Sequence, residues 1–327
     1  MVVHQPAGPQ TTTTQPSSQP LVERQHYIDA LRVISVWLLI IVHAVLIFAP
    51  VRAFQITNPD SSQLLGVFVY NFINQWQMPL FMLLAGSSAW YALRRRSQTQ
   101  FIHERFFRIL VPYVIGLFTL AAPMMYFGRL HRHQYDGSFL SFLPTFFTTG
   151  PQPQGGNFTH ENLWFLLYLF LISIITLPAL MYLRGEKGRA LIARIAGRAN
   201  NPLLFLFVFP LPLLALQWLL RPFFPWDTRT LVNDLGYFAF NLSIFMYGYL
   251  LVAHPAFSQA VSRHWRIAGA LALVGWVGLE YAKYATSEQI RFMNLPVFLL
   301  FETVYYLTTW AFLVAILGLG RQFLNRG

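Results

Sequence analysis

The chain has 327 residues, 55% of them hydrophobic and 11% charged, with a net charge of +11 and no cysteine. Soluble domains average ~25% charged residues because their surface must face water, so this composition excludes an ordinary soluble enzyme. The missing cysteines exclude disulfides, a thiol nucleophile, a thioester on the protein and any Cys-ligated metal. The basic balance is read first as a membrane-topology signal, and no nucleic-acid partner is expected.

Residues 1–26 are rich in Thr, Gln, Pro and Ser and almost free of large apolar side chains. Such a segment cannot bury enough surface to offset its ordering entropy, and a disordered cytoplasmic tail is expected. Residues 27–327 read as one transmembrane domain: an all-α, polytopic helical bundle of about eight spans, since ~20 apolar residues at ~1.5 Å rise cross a bilayer. The spans are placed at 28–49, 66–91, 107–127, 161–183, 202–220, 233–253, 265–283 and 296–318. The apolar run 139–147 is too short to cross and is expected at the interface or as a re-entrant helix. Arg94, Arg95, Arg96, Arg105 and Arg108 lie between spans two and three, and Arg184, Lys187, Arg189, Arg194 and Arg198 between four and five. The positive-inside rule puts those loops, and both termini, in the cytoplasm.

Ionisable residues inside a span cost ~2.5–3.5 kcal/mol each on insertion scales and call for an explanation. The first span carries Asp29, Arg32 and His43. Asp29 precedes Arg32 by one turn and can compensate its charge. His43 follows Arg32 by about three turns, which puts both on one face, ~16 Å apart along the axis. Taken singly, Arg32 reads first as a snorkelling arginine and His43 as a histidine bonded to a neighbouring helix; together on one face they give a functional polar line equal weight.

The second span opens with Asn71, Asn74, Gln75 and Gln77 and continues through Pro79 to Ala85, Gly86, Ser87 and Ser88. The amides suit either a polar cavity or interhelical bonds, Pro79 a kink, and the small residues close helix approach. Arg105 and Arg108 share a face where the third span begins, a good anion site as well as an ordinary positive flank. Glu161 and Trp164 open the fourth span, Glu280 lies near the end of the seventh, and Glu302 lies inside the eighth with Tyr305 and Tyr306. His131, His133 and His160 lack carboxylates at ligand spacing, so no metal site is expected.

Several stretches together resemble a known family. The run Tyr27-Ile-Asp29-Ala-Leu-Arg32, ten intervening residues and then His43 resembles the signature of the membrane-bound acyltransferase family three. Met78-Pro79-Leu80-Phe81 with Ala85-Gly86, the Arg105–Arg108 stretch running to Pro112, and Leu163-Trp164-Phe165-Leu166 are similar to that family's later motifs. The pattern is closest to the glucan succinyltransferase-like branch. The resemblance implies transfer of an acetyl or succinyl group from cytoplasmic acyl-CoA, a co-substrate rather than a bound cofactor, to a hydroxyl of an external polysaccharide, glucan or other carbohydrate. It implies an inner-membrane location, His43 as catalytic base, Arg32 as its charge partner along the acyl path, and Arg105 and Arg108 on the donor's phosphates. Asp29, Gln77, Glu161 and Trp164 are the candidates for charge-partner or acceptor-binding roles.

In that scheme the hydroxyl gives its proton to neutral His43 as its oxygen attacks the thioester carbonyl, with Asn74, Gln75 or Gln77 as oxyanion donors; such base catalysis is worth ~10²–10⁴-fold. Two departures stand out: Gln77 and Asn162 occupy positions where the family often has His. About eight spans against the family's ten also leads to the expectation that the last pair is missing. A proton-coupled transporter using the Arg32–His43 line is the rival reading, and a silent membrane scaffold the third.

Overall fold

In the computed structural model the described residues are 26–48, 58, 60, 62–152, 155–224, 231, 233–287 and 294–324. The tail expected over 1–26 lies outside them, apart from His26. The described residues are helical throughout, relieved only by loops and one isolated bridge between Pro151 and Phe158.

Helix α1 is His26–Leu46. Gly66–Phe72 forms a π-helical segment, followed by a turn and α2, Gln77–Arg95. The long helix α3, Gln98–His131, holds π-helical stretches at Phe106–Leu110 and Leu117–Ala121. Next come the short α4 (Phe139–Thr148), then α5 (Trp164–Ile175), α6 (Leu177–Arg184) and α7 (Glu186–Ala196). The remaining helices are α8 (Leu204–Phe223), α9 (Leu235–Ala253), α10 (Pro255–Ala285) and α11 (Leu295–Phe323).

Local sequence explains the helix starts. Ser97 and Gln100 form a reciprocal capping box before α3. Ser138, Asp234 and Asn294 cap α4, α9 and α11, and His254 caps α10 ahead of Pro255. Each satisfies a backbone N–H that a helix would otherwise leave orphaned.

Five helices, α1, α3, α8, α9 and α11, are long and apolar enough to cross a membrane, six if the pair Glu161–Ile175 and Leu177–Arg184, bent by 48°, is one span. The remaining expected spans, 66–91 and 265–283, are also helical but differ from a simple apolar rod. The first is interrupted before Gln77, so Pro79 falls in the first turn of α2, where a missing N–H costs little, rather than at a kink. The second lies within α10 and carries Glu280, which accepts from Asn71 Nδ2 at 2.9 Å and Lys283 Nζ at 2.7 Å. The short apolar run expected at 139–147 is α4.

The centre of the bundle is a tight crossing of α2 on α9. A Cβ on Gly86 would collide with the Phe245 carbonyl, and one on Gly248 with the Leu83 carbonyl. Only glycine permits that backbone approach, and Ser87 Oγ fastens it by donating to Gly248 O at 2.9 Å. One end of the bundle gathers the start of α1, the end of α2, the start of α10 and the end of α11. There Arg32 reaches Ser88, Leu31 packs at Gly320, and Arg321 donates to Ser258.

Candidate active site

Arg32 sits between α1 and α2. Its NH1 donates to Asp29 Oδ1 at 3.0 Å, as the three-residue spacing led one to expect, and its NH2 donates to Leu84 O at 3.1 Å and to Ser88 Oγ. The guanidinium is therefore fixed inward by three partners rather than left to snorkel.

Ser88 is also a wall of a cavity of about 180 Å³ whose other lining residues are Ala92, Arg96, Phe101, Glu104, Arg105 and Arg108. Arg105 lies over the Phe101 ring at 4.8 Å, and Phe101 is itself buried. Stacking on a fixed ring holds the planar guanidinium in one orientation. Arg108 is exposed one turn further along. Arg96 Nε pairs with Glu104 Oε1 at 2.9 Å across the cavity mouth. Three arginines against one carboxylate give the cavity an excess of positive charge, and the guanidinium fork is chemically suited to phosphate oxygens. The sequence marked Arg105 and Arg108; it did not mark Ser88 as the residue joining them to Arg32.

His43 Nδ1 lies 2.7 Å from Leu39 O on the same helix. A carbonyl oxygen can only accept, so Nδ1 carries the hydrogen and Nε2 of the neutral ring holds the lone pair. Of the two ring nitrogens, Nε2 is then the one with base chemistry open to it.

The amides of the second span are spent largely on packing. Gln75 Nε2 donates to Thr309 Oγ1 at 2.7 Å and Tyr305 O at 3.1 Å, which uses both of its N–H groups. Gln77 Nε2 donates to Ser35 O at 3.0 Å and keeps one N–H. Gln77 thus ties the start of α2 to the helix that carries Arg32 and His43.

Glu161 and Trp164 do not line this cavity; they lie where the chain passes the middle of α3. Glu161 has a left-handed backbone, φ 43°, uncommon for a side chain of its kind. Trp164 is buried, edge-on to Tyr168 at 5.3 Å and inclined to Tyr237 at 5.3 Å. Just before them His160 Nδ1 lies 2.6 Å from Tyr113 Oη of α3, and burial holds the imidazole below histidine's ordinary range. In sequence His160 is only a loop histidine, and its partner stands 47 positions earlier.

A second polar centre links α8, α9 and α11. Arg221 NH1 donates to Asp234 Oδ1 at 3.3 Å, Arg221 Nε donates to Tyr306 Oη at 3.0 Å, and Glu302 Oε2 lies 3.9 Å from Nε. All three charged side chains have zero exposure. Tyr306 in turn donates to Gln217 at 2.8 Å. The sequence singled out Glu302 and Tyr306 but not Arg221 or Asp234, which lie at the edges of their apolar blocks.

Comparison with curated proteins and with solved structures gave no match. The family model described as an acyltransferase domain, of acyltransferase family 3, matches residues 25–326. With a match over nearly its whole length, on a membrane-spanning helical bundle, the chain belongs to the membrane-bound acyltransferase family 3.

Proposed function

We propose that this acyltransferase takes an acetyl or succinyl group from acyl-CoA and delivers it to a hydroxyl of a carbohydrate across an inner membrane, with the arginine-lined end in the cytoplasm. The observation that carries the donor assignment is the cavity in which Arg96, Arg105 and Arg108 meet Ser88, the partner of Arg32. At about 180 Å³ it suits a phosphate-bearing part of the donor rather than the whole molecule.

His43 Nε2 takes the proton from the acceptor hydroxyl as that oxygen attacks the thioester carbonyl. The tetrahedral intermediate collapses with departure of the coenzyme thiolate, which collects a proton, and the ester remains on the carbohydrate. Arg32, held by Asp29, Leu84 O and Ser88, supplies positive charge along the path of the acyl group. Gln77 keeps one N–H, and we assign it to the developing oxyanion.

The test uses the purified chain in detergent with radiolabelled acetyl- and succinyl-CoA. His43→Ala is expected to keep saturable donor binding and lose transfer, and Arg105→Ala/Arg108→Ala to lose binding. An intact chain that binds no acyl-CoA, or a His43→Ala variant that transfers normally, sinks the reading.

A further inference from the structure

The Tyr113–His160 pair takes no part in the mechanism above, and its contact fixes one nitrogen of the ring. Nδ1 is occupied by Tyr113 Oη at 2.6 Å, and no other hydrogen bond engages the ring among the described residues. Nε2 is therefore the nitrogen left for a ligand, on a ring that is half-buried rather than sealed. The Phe158 ring stands edge-on at 5.0 Å and the Tyr113 ring is inclined at 5.9 Å, so the imidazole is held between two aromatic neighbours.

Resting on the acyltransferase reading, we propose that His160 Nε2 binds a hydroxyl of the carbohydrate acceptor, with Tyr113 fixing the ring that presents it. When the Tyr113 hydroxyl donates to Nδ1, Nε2–H donates to the acceptor oxygen; in the other tautomer Nε2 accepts from the hydroxyl. A hydroxyl can play either part, which makes it a natural partner for a histidine locked at its other nitrogen.

The segment carrying His160 is built to stay in place. Arg129 of α3 donates from Nε to Asn157 Oδ1 at 3.1 Å and from NH2 to Gly156 O at 2.9 Å. Phe158 N donates to Gly150 O at 2.9 Å, and its ring packs on Phe146 at 5.5 Å. Beyond His160, Leu163 lies where a Cβ on Gly116 would stand, 2.8 Å from Cδ1, so the chain dips beside the middle of α3.

Depth decides the role. Tyr113 follows Arg108 by five positions and Arg105 by eight on the same helix, a rise of about 8–12 Å. A donor held by its phosphates at Arg105 and Arg108 carries its thioester on a long flexible arm. An acceptor held at His160, beside the middle of α3, lies within an arm's length of the proposed donor cavity.

The test is steady-state kinetics on the full chain in nanodiscs, with acetyl- and succinyl-CoA as donors and a glucan oligosaccharide as acceptor. His160→Ala is expected to raise the acceptor KM about tenfold, the effect of one lost hydrogen bond, with donor KM and donor binding unchanged. His160→Gln should recover part of the loss, and Tyr113→Phe should show a smaller rise in the same constant. A pair that serves only packing would lower the thermal midpoint and leave the acceptor KM alone, and that result overturns the proposal. A wild-type chain that binds donor but acylates no glucan overturns the acceptor assignment with it. A chain that binds no donor overturns the acyltransferase mechanism itself, and direct donor binding distinguishes that outcome from the others.

Discussion

Arg105 and Arg108 of the proposed donor cavity are not equivalent, and replacing them singly should show it. Arg105 is half-buried and stacked on a buried Phe101, whereas Arg108 is exposed. A charge-assisted bond from a fixed guanidinium is worth about 1.5–3 kcal/mol, and an exposed, screened ion pair about 0.2–1 kcal/mol. Arg105→Ala should therefore weaken acyl-CoA binding about 10- to 150-fold, and Arg108→Ala only about 1.5- to 5-fold. Arg105→Lys should fall between wild type and Arg105→Ala, because it keeps the charge but loses the stack and the fork. Equilibrium binding of radiolabelled acetyl-CoA at low and high salt is the assay. The small Arg108 effect should vanish at about 1 M salt, where the Debye length is ~3 Å, and the Arg105 effect should persist. Equal losses for the two variants, or a larger one at Arg108, would place the phosphates at the open mouth and refute the cavity as the donor site.

Glu104 neutralises Arg96 at the same cavity, so Glu104→Gln should tighten acyl-CoA binding about two- to fivefold at low salt and leave it unchanged at high salt; weaker binding would mean that Glu104 positions Arg96 rather than opposing the anion. Arg221→Ala strands two fully buried carboxylates and should cost about 3–5 kcal/mol, seen as a large fall in the thermal midpoint in detergent; an unchanged midpoint would refute the network's structural role. Gly116→Val sets branched carbon atoms against Leu163 and should raise the acceptor KM while donor binding stays normal; an acceptor KM equal to wild type would show that the His160 segment is not seated by that contact.

The fold class was legible because it follows from composition and from blocks of apolar residues, which need no tertiary knowledge. Asp29 and Arg32 were legible as a pair because helical spacing alone brings them together. Spacing failed where the backbone departs from 3.6 residues per turn. The π-helical stretch Phe106–Leu110 lies between Arg105 and Tyr113, so the face Tyr113 presents cannot be counted forward from Arg105. The break before Gln77 falls in the amide run Asn74-Gln75-Trp76-Gln77, which reads as cavity lining or interhelical bonding rather than as a helix end, and Pro79 drew the eye to the wrong place. Contacts between distant elements carry no periodic signal at all. Ser88 looked like one small residue among four, and its value to Arg32 and to the cavity exists only after α1 lies across α2.

In the proposed mechanism α3 carries more of the binding groups than any other helix. Its first turns bring Arg105 and Arg108 to the donor cavity, its middle brings Tyr113 to His160, and its far end holds the His160 segment through Arg129. An enzyme that joins substrates from two sides of a membrane must fix the distance between their binding groups, or the acyl carbon and the hydroxyl will not meet. One helix that touches both groups sets that distance through its own backbone, without relying on the relative placement of separate helices. α1 packs on α2 and α11 and carries Arg32, joined through Ser88 to the proposed donor cavity, and His43, the proposed base, whose Nδ1 is engaged by its own helix. The proposed mechanism thus places positioning along α3 and proton transfer on α1, so variants in one should alter KM or donor affinity, and variants in the other kcat.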